Sequence, residues 1–133
     1  MDLTAFIRET MPFCAVLGVR AGRNDAESVE LEMDWSGAFC TAGGVLHGGA
    51  LMSLADSAGA ACAFANLPEG AAGTSTIESK TNFLGAVRSG TVRAVARPLH
   101  VGSTTIVVET EVSNDGRLIA KTTQTQIVLR PRH

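Results

Sequence analysis

The stretch from Gly49 to Asn66 carries a single formal charge, Asp56. It reads as a long helix of about residues 49 to 66, fed by the glycine-rich turn Gly43-Gly44-Val45-Leu46-His47-Gly48. Leu67-Pro68 and Gly70 end it, because proline cannot continue a helix. A helix that is apolar or small on every side is buried on every side. It cannot lie on one face of a sheet with its back to water. The sheet must curl around it, or a second sheet must cover it, or both. A carboxylate in its middle is costly without a partner or a job. Chemistry is therefore expected at Asp56 and at the glycines before it.

Residues 2 to 10 read as a short helix, capped by Asp2 or Thr4, with Leu3, Phe6 and Ile7 on one face. Phe13 to Leu17 forms a second short apolar turn ending at Gly18. Two strands follow, Val19 to Arg23 and Ser28 to Met33, with a turn at Asn24-Asp25 between them. In the second, Val29, Leu31 and Met33 alternate with Ser28, Glu30 and Glu32. Residues 34 to 46 read as a loop anchored by Trp35 and Phe39. Three or four strands follow the helix: Thr74 to Leu84, Gly90 to Leu99, Thr104 to Val112 and Arg117 to Leu129. Asn114-Asp115-Gly116 is a hairpin turn, which brings Glu109 and Glu111 to face Lys121. On the last strand, Thr122, Gln124 and Gln126 alternate with Thr123, Thr125 and Ile127. The order predicts an α+β domain spanning residues 1–133: a helical segment over about 2–17, two strands, one long helix and an antiparallel meander.

At 133 residues the chain is long enough to bury a core. Charged residues make up 18%, below the roughly 25% of soluble domains, a hint that another subunit covers part of the surface. A net charge of −2, with five Phe, one Trp and no Tyr, gives no case for nucleic acid. Cys14, Cys40 and Cys62 show no CxxC or zinc spacing and read as free thiols in a reducing cytoplasm. No metal site is expected, since neither His100 nor His133 stands at ligand spacing to His47. Met1-Asp2-Leu3-Thr4 lacks the basic start of a signal peptide. No segment reaches the ~20 apolar residues of a membrane span. Ser53 and Ser57 lack the context of a serine hydrolase, and the glycine run is not a P-loop.

A helix starting near Gly49 leaves the N–H groups of Gly48, Gly49 and Ala50 unpaired and partly positive, a ready oxyanion site. Asp56 lies about 10 Å further along the axis. One reacting carbonyl must sit within about 3 Å of its donors and near its base or nucleophile. The two features of one helix therefore cannot serve the same carbonyl. A second, antiparallel copy of the helix would put Asp56 of one chain near Gly48 of the other, so a catalytic reading requires at least a dimer. Met52, Ser53, Gly59, Ala60 and Ala63 flank Asp56 with a small apolar face fit for an acyl chain. Equally open is a structural reading, in which Asp56 caps or bonds a neighbouring strand. His47, beside the turn, reads first as a structural hydrogen-bonder.

The run Gly44-Val45-Leu46-His47-Gly48-Gly49-Ala50-Leu51-Met52-Ser53-Leu54-Ala55-Asp56 resembles the GxxHGGxxxxLAD motif of hotdog-fold acyl-CoA thioesterases of the phenylacetyl-CoA (PaaI-like) type. Thr76-Ile77-Glu78-Ser79-Lys80-Thr81-Asn82-Phe83-Leu84 resembles the family's next strand. The resemblance implies a hotdog fold, a central helix wrapped by a curved antiparallel sheet. It also implies homodimers with shared active sites, often paired into homotetramers, an acyl-CoA substrate and no cofactor. It assigns Asp56 as nucleophile or general base, the Gly48 N–H as the group that polarises the thioester carbonyl, and His47 to support of that loop. Thr41 stands where many members carry Asn or Gln to hold water or substrate, and Thr76 matches a Ser/Thr near the attacking water. With Gly49 and Ala60, these form the expected substrate-binding set. Arg88, Arg93, Arg97, Arg117 and Lys121 are candidates for the coenzyme A phosphates. Two other readings belong to the same fold: a non-catalytic acyl-CoA-binding or regulatory module, which Thr41 favours, and an enoyl-CoA hydratase.

Overall fold

A computed structural model describes residues 2–132. Met1 and His133, which enter the terminal and metal readings above, lie outside the described residues. Helix α1 (Leu3–Thr10) is capped by the Asp2 carboxylate, which accepts from the Ala5 amide at 2.7 Å. Helix α2 (Pro12–Leu17) starts on proline, whose missing N–H is not needed there, and stops at Gly18 with φ 70°. The two expected strands, β1 (Arg20–Asn24) and β2 (Val29–Asp34), pair antiparallel, with Val29, Leu31 and Met33 buried. The 34–46 loop holds two short 3-10 turns, a bridge from Cys40 to Leu46, and half-buried Trp35 and Phe39. The Trp35 Nε1–H donates to the Gly44 carbonyl at 3.0 Å and so fixes the glycine run.

Helix α3 runs Gly48–Ala65. Its hydroxyls are consumed locally: Ser53 Oγ donates to the Gly49 carbonyl and Ser57 Oγ to that of Ser53. Asn66 closes the helix by donating from Nδ2 to the carbonyls of Cys62 and Ala26. Then come β3 (Gly73–Phe83), β4 (Thr91–Val101), β5 (Thr105–Asn114) and β6 (Arg117–Leu129). At the β5–β6 turn, Asp115 and Gly116 both take positive φ, as the Asp-Gly pair predicts. Across this hairpin Lys121 stands in register with Glu111 and forms an ion pair with Glu109.

The six strands make one antiparallel sheet in the order β1-β2-β4-β5-β6-β3. This corrects the expected meander, which holds only for β4-β5-β6. Strand β3 pairs with β6 at the far edge, because the 84–90 connection crosses the front of α3. Leu84 N–H donates to the Ile119 carbonyl, and Leu46 N–H donates to that of Val87. Alternation fixes the faces of a strand but not its neighbour, so the sequence pattern could not show this. A bulge at Ile77 also shifts β3 by one residue. Thr74 and Thr76 before it and Thr81 after it therefore share one side, bonding Gln126 and Thr122.

Helix α3 packs against every strand. Six strands ~4.8 Å apart would span roughly 24 Å if flat, against a helix about 10 Å across. Contact with all six therefore means that the sheet curls around the helix, in the hotdog arrangement. Leu51, Leu54, Ala58 and Cys62 face the sheet and are buried. Met52, Asp56 and Phe64 are exposed on the opposite side of the chain. The expectation of a helix buried all round, with its carboxylate, is thus corrected: one curled sheet covers one side only.

Candidate active site

At the front of α3, His47 acts as the cap. Its Nδ1 accepts from the Gly49 amide at 2.8 Å, and its carbonyl accepts from the Ala50 amide at 2.9 Å. An accepting Nδ1 leaves the ring proton on Nε2. Gly49 is needed for this fit, since a Cβ there would stand 2.9 Å from Nδ1. The expectation of three free amides is corrected accordingly. Gly49 and Ala50 are spent on His47, and among the described residues only the Gly48 N–H of the three has no acceptor. The Phe83 ring covers Gly48 closely; a Cβ there would meet it at 3.1 Å.

Asp56 lies on the exposed side of α3, and its Oδ1 accepts from Gln124 Nε2 at 3.0 Å. Gln124 points inward from β6 and is 1% exposed. It lies directly over Gly59: a Cβ there would fall 1.4 Å from Gln124 Oε1. Sequence reasoning missed Gln124 and took Gly59 for part of an acyl-lining face rather than the surface on which Gln124 rests. The available signal was the alternation that placed Gln124 on one face with Thr122 and Gln126, polar side chains where a core-facing strand ordinarily carries apolar ones.

The remaining candidates fall into separate places. Thr41 is exposed, its amide bonded to the Val45 carbonyl at 2.8 Å. Thr76 Oγ1 accepts from Gln126 Nε2, while Gln126 Oε1 accepts from Thr74 Oγ1 at 3.1 Å. Ala60, one turn beyond Asp56, borders a cavity of about 360 Å³ between α1 and α3, with Phe6, Ile7, Met11, Phe64 and Thr74. The expected acyl-lining face is thus split: Gly59 and Ala63 face the sheet, and Ala60 faces α1. A second cavity, about 280 Å³, adjoins His47, Gly49 and Ser53 beneath Phe13, Val16 and Phe39.

Of the candidate cations, Arg93 and Lys121 are engaged by Glu30 and Glu109, and Arg97 stands in register with Glu109. Arg88 and Arg117 reach the loops around the helix front, donating to the carbonyls of Gly43 at 3.3 Å and Ala86 at 3.5 Å. Among the described residues no group of three His, Cys, Asp or Glu side chains is placed to hold a metal ion. No helix among them is long and apolar enough to cross a membrane.

Residues 43–121, which include the glycine run, α3 and the start of β6, match the thioesterase superfamily. Thioesterase PA1618 of Pseudomonas aeruginosa is 35% identical over 100 residues, 75% of this chain and 69% of that protein. A crystal structure of a variant of it superposes with a TM-score of 0.87 at 29% identity, covering 97% and 95% of the two chains. A thioesterase family protein from Silicibacter pomeroyi gives a TM-score of 0.86 at 30% identity, covering 96% of each chain. The 1,4-dihydroxy-2-naphthoyl-CoA hydrolase of Escherichia coli is 36% identical over 87 residues, 65% of this chain and 63% of that enzyme.

Proposed function

The chain belongs to the thioesterase superfamily and is a thioester hydrolase; from that premise we propose that it splits an acyl-CoA into free acid and coenzyme A at sites shared between two protomers. One observation carries the reading. The carboxylate of α3 is exposed, and the one amide left free by the His47 cap is that of Gly48. The two lie about 12 Å apart along one axis, too far to serve one carbonyl. An antiparallel second copy of α3 brings the Asp56 of each protomer to the Gly48 of the other.

In this arrangement the Gly48 N–H takes up charge developing on the thioester oxygen. Asp56 either accepts a proton from water as the water oxygen bonds to the carbonyl carbon, or attacks that carbon itself and is released by water. Either way the C–S bond breaks and coenzyme A leaves as a thiol. Thr41 and Thr76 offer hydroxyls for the water or substrate. The apolar cavity beside Ala60 is of the size and character of small-molecule sites and accepts an aromatic ring or a medium aliphatic chain. The Escherichia coli relative, named for a naphthoyl-CoA, supports the aromatic choice. Arg88 and Arg117, at the loops around the helix front, are the cations best placed for the coenzyme A phosphates.

Asp56→Ala tests the proposal. With the fold and assembly intact, kcat toward its best acyl-CoA is expected to fall about 10²–10⁴-fold, read by thiol release across a panel of aromatic and aliphatic acyl-CoAs. Wild-type turnover by this variant would refute the assignment.

A further inference from the structure

We infer that Gln124 is the positioning residue for the Asp56 carboxylate, and that Gly59 is the socket that decides which end of its amide Asp56 meets. The inference rests on the proposal that Asp56 is the reactive group. Asp56 has no other hydrogen-bond donor among the described residues. Its helical neighbours offer none: Ser53 donates to the Gly49 carbonyl, and Met52, Gly59 and Ala60 have no side-chain donor. An exposed carboxylate without a donor samples several rotamers. One charge-assisted bond from a buried, immobile amide selects one of them.

The amide is held in one sense only. Gln124 Oε1 is buried and has no hydrogen-bond partner among the described residues. It rests against the Cα of Gly59, at a distance no side chain would permit. A C–H group there meets an oxygen more favourably than it would meet an NH₂ group. Reversing the amide would press its NH₂ group on Gly59 and turn its oxygen toward a carboxylate. Both changes are unfavourable, so Gly59 and Asp56 together keep Nε2 on the acid. Gln126, on the same face of β6, differs: both ends of its amide bond β3 hydroxyls. Of the two inward glutamines, Gln124 is thus the one bonded to the helix.

Three variants, assayed beside Asp56→Ala, test the role. Gln124→Met keeps the length and removes the donor. Gln124→Asn keeps the amide and loses the reach. Gly59→Ala leaves Gln124 but places a methyl where Oε1 lies. Each is expected to lower kcat about tenfold, with KM within about twofold and the circular dichroism spectrum unchanged. Gly59→Ala combined with Gln124→Met is expected to lose no more than Gln124→Met alone, because both remove the same contact. A residue that merely fills the core would leave kcat unchanged in Gln124→Met, the variant whose thioether adapts to the space. Wild-type kcat in a folded Gln124→Met, with Asp56→Ala inactive, would overturn the role of Gln124 and leave Asp56 standing. Full activity in Asp56→Ala would overturn both.

Discussion

His47 stands out in the sequence, and its Nδ1 and its carbonyl are spent on the front of α3. Through Nδ1 it occupies the Gly49 amide, and through its carbonyl the Ala50 amide. Loss of a side-chain cap costs about 1 kcal/mol. His47→Ala is expected to lower stability by that amount in urea unfolding, and His47→Asn, a residue that also caps helices, to recover most of it. Equal stability of the alanine variant and the wild type would contradict the capping role. Asp56 is legible in the sequence as one charge in an apolar run, whereas the local pattern offers Gly48, Gly49 and Ala50 alike and only the family resemblance singles out Gly48. Gln124 was not legible. Its strand alternation showed its face, but its partner Asp56 is 68 positions away, and only the fold brings the two together.

Elements were legible to the extent that their signals are local. Strand β6 has the expected bounds, Arg117–Leu129, because strict alternation and an Asp-Gly turn define it. Helix α3 begins one residue earlier than expected, at Gly48, because the His47 cap sets its first turn. The edge position of β3 and its bulge at Ile77 depend on which strand lies alongside, so no local pattern reported them. Packing of the helices on the sheet has a chemical readout in the cysteines. Cys62 on α3 and Cys14 on α2 are buried. Burial pushes the Cys62 thiol up to about 11 and raises that of Cys14 as well. A raised value keeps the unreactive protonated form to higher pH. At neutral pH an aromatic disulfide reagent is therefore expected to modify only half-buried Cys40 in the folded protein, and all three cysteines in denaturant. Rapid reaction of Cys62 at neutral pH would show that α3 is not seated as described.

At the scale of the whole molecule, the curled sheet leaves one side of α3 open. Met52 and Phe64 are exposed there on either side of Asp56. Strand β3 and the residue after it add exposed Ile77, Phe83 and Leu84. Single exposed apolar residues need no explanation, but this many around an exposed carboxylate suit an interface. The low charged fraction already pointed to a covered surface, and the curl identifies a face available for covering. The shared site is tested most directly by mixing two inactive chains. Gly48→Pro removes the amide proton at a helix position whose backbone tolerates proline, the Phe83 ring giving way by a few tenths of an ångström to its Cβ; Asp56→Ala removes the acid. In a heterodimer of the two, one site keeps both the intact Asp56 and the intact Gly48. Random re-association after co-refolding should then restore on the order of a quarter of wild-type thioester hydrolysis, since half the dimers are mixed and each carries one intact site. A mixture that forms heterodimers and remains as inactive as its parents would contradict the shared site.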